Sequence, residues 1–175
     1  MHIAEIILSD TANGPGIRLS LFVSGCTNCC KGCFQPETWD FNYGWKYNKN
    51  IERHIFDNLK KHYYQGITIL GGEPFEPSNQ EGLLPIIRKL KKELPEKDIW
   101  MYTGFVYDQE LIPGGRRYTD CTDEILDNID VLVDGRFEED KKNIRLNFRG
   151  SENQRIIDMK KTREQKTVIL SPLNN

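Results

Sequence analysis

From Asn50 to Asp134, stretches with a helical period alternate with short apolar runs, and this alternation limits the fold more than any other feature of the chain. Ile51, Ile55, Leu59 and Tyr63 recur every four positions, which predicts an amphipathic helix from Asn50 to Tyr64 with Gly66 as a stop. The run "ITIL" (67–70) then leads into "GGEP" (71–74), the pattern of a buried parallel strand entering a loop. Ser78 and Glu81 have capping-box spacing, and Leu83, Ile86, Ile87, Leu90 and Leu94 form a helical stripe whose start Pro85 is expected to delay. A strand at 98–102, a short helix at 122–128 and a strand at 130–134 continue the alternation. Strand and helix in turn predict βαβ units and a parallel sheet. On the N-terminal side, 3–8 and 18–24 read as strands around a turn at "NGPG" (13–16), and 155–158 and 166–170 read as final strands.

A full eight-unit barrel takes ~250 residues. The chain has 175 residues and neither an internal repeat nor a low-complexity linker. The expected fold class is therefore α/β, an open, incomplete (β/α) barrel with a mostly parallel sheet, forming one domain over residues 1–175. A hydrophobic share of 38% with 29% charged residues is that of a globular chain and argues against disorder and membrane spanning. The formal net charge of -2 argues against nucleic-acid binding through a broad basic face. "MHIAEIILSD" has no basic region before its apolar run and no small-residue cleavage site, so a cytoplasmic location is expected.

Four of the five cysteines fall within "CTNCCKGC" (26–33). In a reducing compartment such a cluster points to metal binding or catalysis before disulfides. Cys26, Cys29, Cys30 and Cys33 make two abutting CxxC pairs, a zinc reading. Structural zinc sites usually separate their pairs by roughly a dozen residues, and no spacer exists here. Cys26, Cys30 and Cys33 instead make C-x3-C-x2-C, three thiolates for a [4Fe–4S] cluster with one iron lacking a protein ligand. Cys121 could complete a cluster that only carries electrons, or be a small buried residue.

C-x3-C-x2-C after a strand, with Phe34 behind the last cysteine, resembles the signature of the radical S-adenosylmethionine (radical SAM) superfamily, and "GGEP" stands about where that superfamily ends its second barrel strand. With "NGPGIR" (13–18), "LFVSGC" (21–26), "VDGRF" (133–137) and "RGSENQR" (149–155), the chain resembles the anaerobic ribonucleoside-triphosphate reductase activating proteins from about Asn13 to Arg155.

The resemblance implies a barrel of the radical SAM type and Cys26, Cys30 and Cys33 as cluster ligands. It implies S-adenosylmethionine as a cofactor chelating the open iron, cleaved by one electron to methionine and a 5'-deoxyadenosyl radical. Gly71 and Gly72 would offer backbone groups to the methionine amino group with Glu73 nearby, while Gly32, Cys33 and Phe34 would border the adenine. Thr103, ending a strand where open α/β sheets place ligand contacts, reads equally as a cofactor contact or a turn residue. The implied partners are the large anaerobic ribonucleotide reductase, whose backbone glycine is the hydrogen donor, and an external low-potential electron donor such as flavodoxin. Alternatives are an activase of the pyruvate formate-lyase type, a small-molecule radical SAM enzyme, a zinc-binding interaction module and an electron carrier. Related activases often carry "DGPG" in place of "NGPG", and some carry extra ferredoxin-like cysteines; both points lean toward the reductase activase.

The aromatics of "WDFNYGWKY" (39–47) form either a partner-docking rim or a lid over the cluster. Arg149 and Arg155 read as contacts for a cofactor carboxylate or a partner, or as surface residues. His2, His54 and His62 show no ligand spacing with the cysteines.

Overall fold

The computed structural model describes residues 1–174. Seven strands form one sheet: β1 (His2–Asp10), β2 (Ile17–Val23), β3 (Trp45–Lys46), β4 (Tyr64–Gly71), β5 (Asp98–Tyr102), β6 (Val131–Asp134) and β7 (Arg155–Asp158). Their spatial order is β3-β1-β2-β4-β5-β6-β7, so the sheet is open at β3 and β7. The central strands β2, β4, β5 and β6 run parallel. The flanking pairs β1–β2, β1–β3 and β6–β7 are antiparallel. The expected open α/β sheet is present with its parallel centre, and antiparallel edges are added to it.

One face of the sheet carries the apolar core. Leu19, Leu21 and Val23 of β2, Ile67 and Ile69 of β4, Ile99 and Met101 of β5 and Leu132 of β6 alternate onto it. Helices α1 (Lys49–Leu59), α2 (Pro77–Glu93), α4 (Thr122–Asn128) and α5 (Met159–Gln165) bury their apolar residues against this face, and a single turn, α3 (Tyr107–Glu110), follows β5. Asn48 caps α1 by accepting from the backbone N–H groups of Asn50 and Ile51.

Three sequence expectations shift. The helix predicted to Tyr64 ends at Leu59; Ile55 and Leu59 are buried, but Tyr63 is 42% exposed and Tyr64 begins β4. Pro85 does not delay α2, which begins at Pro77 with Glu76 at the N-cap and no side-chain cap, so Ser78 lies inside the first turn and forms no capping box with Glu81. Burial of Leu83, Leu84, Ile86 and Ile87 around Pro85 outweighs the one hydrogen bond that its ring removes. The segment 166–170 is not a strand: only Leu170 bridges Ile157, and the preceding residues form α5, ended by Lys166 in the left-handed region at φ 54°.

The opposite face is half polar. Arg18 is fully buried there, donating from Nε to Thr68 Oγ1 at 2.7 Å and from its guanidinium to Ile67 O at 2.9 Å. It pairs with Asp98 and lies 5.3 Å from the Trp100 ring centre. Thr68 Oγ1 in turn donates to Asn13 O at 2.8 Å, and the Asp10 carboxylate accepts from Ser20 and Asn13. The "NGPGIR" segment is thereby tied to the polar face of the sheet, where Asn13 lines the same cleft as Cys26, Cys30 and Cys33.

Candidate active site

In parallel strands every C-terminal end points the same way, so the loops that follow gather at one edge of the sheet. Here β2 leads into the cysteine loop, β4 into 71–74, β5 into Thr103 and Gly104, and β6 into Gly135. They surround a cleft of about 710 Å³. That lies within the range of about 300–1,000 Å³ typical of small-molecule and cofactor sites.

The cysteines divide into two kinds. Cys26, Cys30 and Cys33 line the cleft. Cys29 is exposed, does not line it, and takes the left-handed φ of 47° that turns the chain between its neighbours. Cys121 is remote, at the N-terminus of α4 and packed against the main core, so it is not placed to complete a site in the cleft. Burial pushes the Cys26 thiol up to about 12, and burial followed by the nearby Cys33 sulfur raises that of Cys30. Both thiols hold their protons at neutral pH until a metal displaces them. Among the described residues no three His, Cys, Asp or Glu side chains form a ready-made metal site. The three thiols share one cleft wall.

The glycines at 71 and 72 are needed for close backbone contact. Gly71 has φ +105°, and a Cβ on it would lie 2.7 Å from Val23 O. A Cβ on Gly72 would lie 2.6 Å from Gly25 O and 2.9 Å from Thr38 O, inside the backbone that launches the cysteine loop. Gly72 N donates to Val23 O at 2.7 Å and Glu73 N to Gly25 O at 2.8 Å, stitching the two loops together.

Glu73 is buried and its carboxylate accepts four hydrogen bonds. Oε1 accepts from Phe75 N at 2.9 Å and Thr103 Oγ1 at 2.8 Å; Oε2 accepts from Gly104 N at 2.7 Å and Asn28 Nδ2 at 3.0 Å. Burial still raises its pKa to about 7, the hydrogen bonds opposing that rise. Thr103 is also buried, and its hydroxyl accepts from Phe105 N at 3.0 Å, which is the behaviour of a turn residue as well as of a cleft wall.

Other predicted residues scatter. Phe34 is 71% exposed at the cleft rim, its ring centre 5.5 Å from that of Phe137. Gly32 does not line the cleft and makes a turn at φ +73° beside Glu139. The aromatic stretch splits: Trp39 lines the cleft, Phe41, Tyr43 and Trp45 are exposed, and Tyr47 packs on the core while donating to Glu52. Arg155 pairs with the buried Asp134 and with Asp108, which occupies it within the fold. Arg149 lines the cleft and donates to Gln154 O at 2.7 Å.

Sequence reasoning missed Asn28, Glu76 and Asn79. Asn28 reaches Glu73 from inside the cysteine loop. Glu76 accepts from Thr27, and Asn79 Nδ2 donates to Ser24 O at 3.0 Å and Glu73 O at 2.9 Å. The available signal was polar residues, Asn79 and Gln80, buried on the same side of α2 as Leu83 and Leu84. Buried amides demand partners, and these partners are the loops of the site.

An open α/β sheet that ends in a cysteine loop over a cofactor-sized cleft defines a class of iron–sulfur protein, and residues 12–157 match the family described as "4Fe-4S single cluster domain". The relatives narrow this. The chain is 39% identical over 158 residues to the anaerobic ribonucleoside-triphosphate reductase-activating protein of Pasteurella multocida, covering 89% of this chain and 96% of that protein. It is 40% identical to the protein of that name from Haemophilus influenzae, covering 89% and 97%, and 39% identical to that from Escherichia coli K12, covering 83% and 90%. The chain belongs to the family of anaerobic ribonucleoside-triphosphate reductase-activating proteins. No helix among the described residues is long and apolar enough to cross a membrane.

Proposed function

We propose that this chain, as one radical SAM domain over residues 1–175, activates an anaerobic ribonucleoside-triphosphate reductase by generating its glycyl radical. The observation that carries the reading is the sorting of the cysteines: Cys26, Cys30 and Cys33 line the cleft and Cys29 does not. Three soft thiolate donors on one loop suit a [4Fe–4S] cluster and leave a position for a further ligand. Bound there, the cluster would supply the electron that cleaves S-adenosylmethionine reductively, the source of the radical that takes a hydrogen atom from the reductase.

The chain's own residues have three tasks. Cys26, Cys30 and Cys33 would hold the metal as thiolates; burial makes proton release costly at Cys26 and Cys30 and so couples loading to pH. Gly71, Gly72 and Glu73 would meet the methionine end of the cofactor, with Thr103 fixed beside Glu73; Cys33 and Phe34 would border its adenine, and Gly32, outside the cleft, would serve by turning the chain into Cys33. On the polar face Arg18 fixes Thr68, which in turn holds the carbonyl of Asn13 in the cleft wall. The reductase and an external low-potential donor, such as a flavodoxin, complete the system.

The test is anaerobic: load the protein with iron and sulfide, reduce it, add S-adenosylmethionine and a reductase of this class, and record the electron paramagnetic resonance (EPR) spectrum. A glycyl-radical doublet with the wild type and none with Cys30→Ala supports the reading; methionine release without any protein radical rejects the reductase as substrate.

A further inference from the structure

Between Ser24 and Gln35 the chain has neither helix nor strand; backbone bonds from Gly25 N to Thr38 O at 2.8 Å and from Cys26 N to Trp39 O at 3.2 Å hold the start of this cysteine loop, and beyond Cys26 side chains take over. Its later half is tied by a turn bond from Cys33 N to Cys30 O at 3.1 Å and by a Lys31–Glu139 pair whose side chains are 88% and 45% exposed. An ion pair that exposed holds little. The first half is held differently. Glu76, 3% exposed, accepts from Thr27 N at 2.9 Å and from Thr27 Oγ1 at 2.6 Å, both on the same oxygen, Oε1. Thr27 directly follows Cys26.

Arg117 closes the arrangement from the segment before α4. Its Nη2 donates to Thr27 Oγ1 at 2.6 Å, and its Nε lies 3.5 Å from Glu76 Oε2. Its own carbonyl accepts from Gln80 Nε2 at 2.9 Å, which fixes the segment to α2. The buried Glu76 carboxylate thus has a cationic neighbour, and the loop is gripped between an acceptor at the start of α2 and a donor from the 111–118 segment. Buried charges held this way are expensive to disrupt and define geometry sharply.

We infer that Glu76 is the positioning residue for the Cys26 end of the cysteine loop, with Arg117 holding it to that task. Cys26 is thereby set in place in the metal-free protein. The inference rests on the proposed cluster only for its iron readout.

Amide hydrogen exchange on the metal-free protein tests the first part without any cluster. Thr27 N–H is protected in the wild type, and Glu76→Ala speeds its exchange about tenfold or more, the scale of a hydrogen bond to a charged acceptor. Glu76→Gln keeps an amide oxygen at the same place and restores most of the protection. Thr27→Ala removes only hydroxyl bonds from an exposed residue, so it leaves the fold intact if Glu76→Ala does not. After anaerobic loading, Glu76→Ala and Thr27→Ala lose iron to a chelator several-fold faster than the wild type, and Glu76→Gln does not.

Unchanged Thr27 exchange in Glu76→Ala overturns the inference. So does unchanged iron retention in both variants, or a failure of Glu76→Gln to rescue exchange. A wild type that takes up no iron overturns the proposed cluster, while the exchange result still decides whether Glu76 sets the loop.

Discussion

Thr103 Oγ1 donates to Glu73 Oε1 at 2.8 Å, so a buried hydrogen bond joins the loop after β5 to the loop after β4. Asn28 adds the cysteine loop to the same carboxylate at 3.0 Å. Three segments far apart in sequence converge on one side chain, and the shape of the cleft follows from that convergence.

The carboxylate holds those segments at a cost that depends on pH. Its pKa is raised from 4.5 to about 7, so the folded protein binds a proton there that the unfolded chain releases at lower pH. For a raised carboxylate the stability falls as pH climbs from the unfolded value to the folded one. Glu73→Gln removes that titration. Urea unfolding of the metal-free protein at pH 5 and pH 8 will show the difference between variant and wild type moving in favour of the variant at the higher pH, by at most about 3 kcal/mol. A difference that is flat with pH places the titration elsewhere.

The two kinds of cysteine differ in access. Alkylation of the metal-free protein with iodoacetamide, followed by peptide mass mapping, will modify the exposed Cys29 first and Cys26 last, because the Cys26 thiol is half-buried and its pKa is raised to about 12. Modification of Cys26 at the rate of Cys29 contradicts the placement of the loop.

Gly72→Ala puts a methyl group 2.6 Å from Gly25 O, and a backbone atom cannot rotate away as a side chain can. A loss of about 1–3 kcal/mol in unfolding free energy is expected, together with poor iron retention as the cysteine loop moves. Gly114→Ala is a useful contrast: a Cβ there meets nothing within 4 Å, so only the strain of its φ of +83° is felt and iron retention stays at the wild-type level.

Arg18→Ala leaves Asp98 without its cation and removes the donors to Thr68 and Ile67. Breaking a buried pair from one side costs about 3 kcal/mol or more. Chemical denaturation reads this directly; a loss under about 1 kcal/mol shows that the polar face does not depend on Arg18.

The sequence made the α/β alternation legible because the parallel strands are nearly continuous apolar runs and the helices carry apolar stripes. It also exposed the cysteine spacing and "GGEP", since Cys and Gly have few bland uses at such density. What stayed hidden was tertiary in origin. Helix α5 lies in a polar stretch, "MKKTREQ", and buries little besides Met159 and Thr162. Strand β3 has two residues and exists only by pairing with β1. Glu76, Asn79 and Arg117 look like surface residues in the sequence, and only the folded loops supply the partners that bury or engage them. The C-x3-C-x2-C spacing already set Cys29 apart; the left-handed backbone angle that turns it out of the cleft was not legible.

In the proposed function Cys26, Cys30 and Cys33 hold the cluster and leave one iron for the cofactor. EPR of the reduced, iron-loaded protein before and after S-adenosylmethionine, in the wild type and in Cys29→Ser, measures it most directly. A cofactor-induced change in the cluster spectrum, the same in both proteins, is expected. A spectrum unmoved by the cofactor, or a cluster lost in Cys29→Ser, contradicts it.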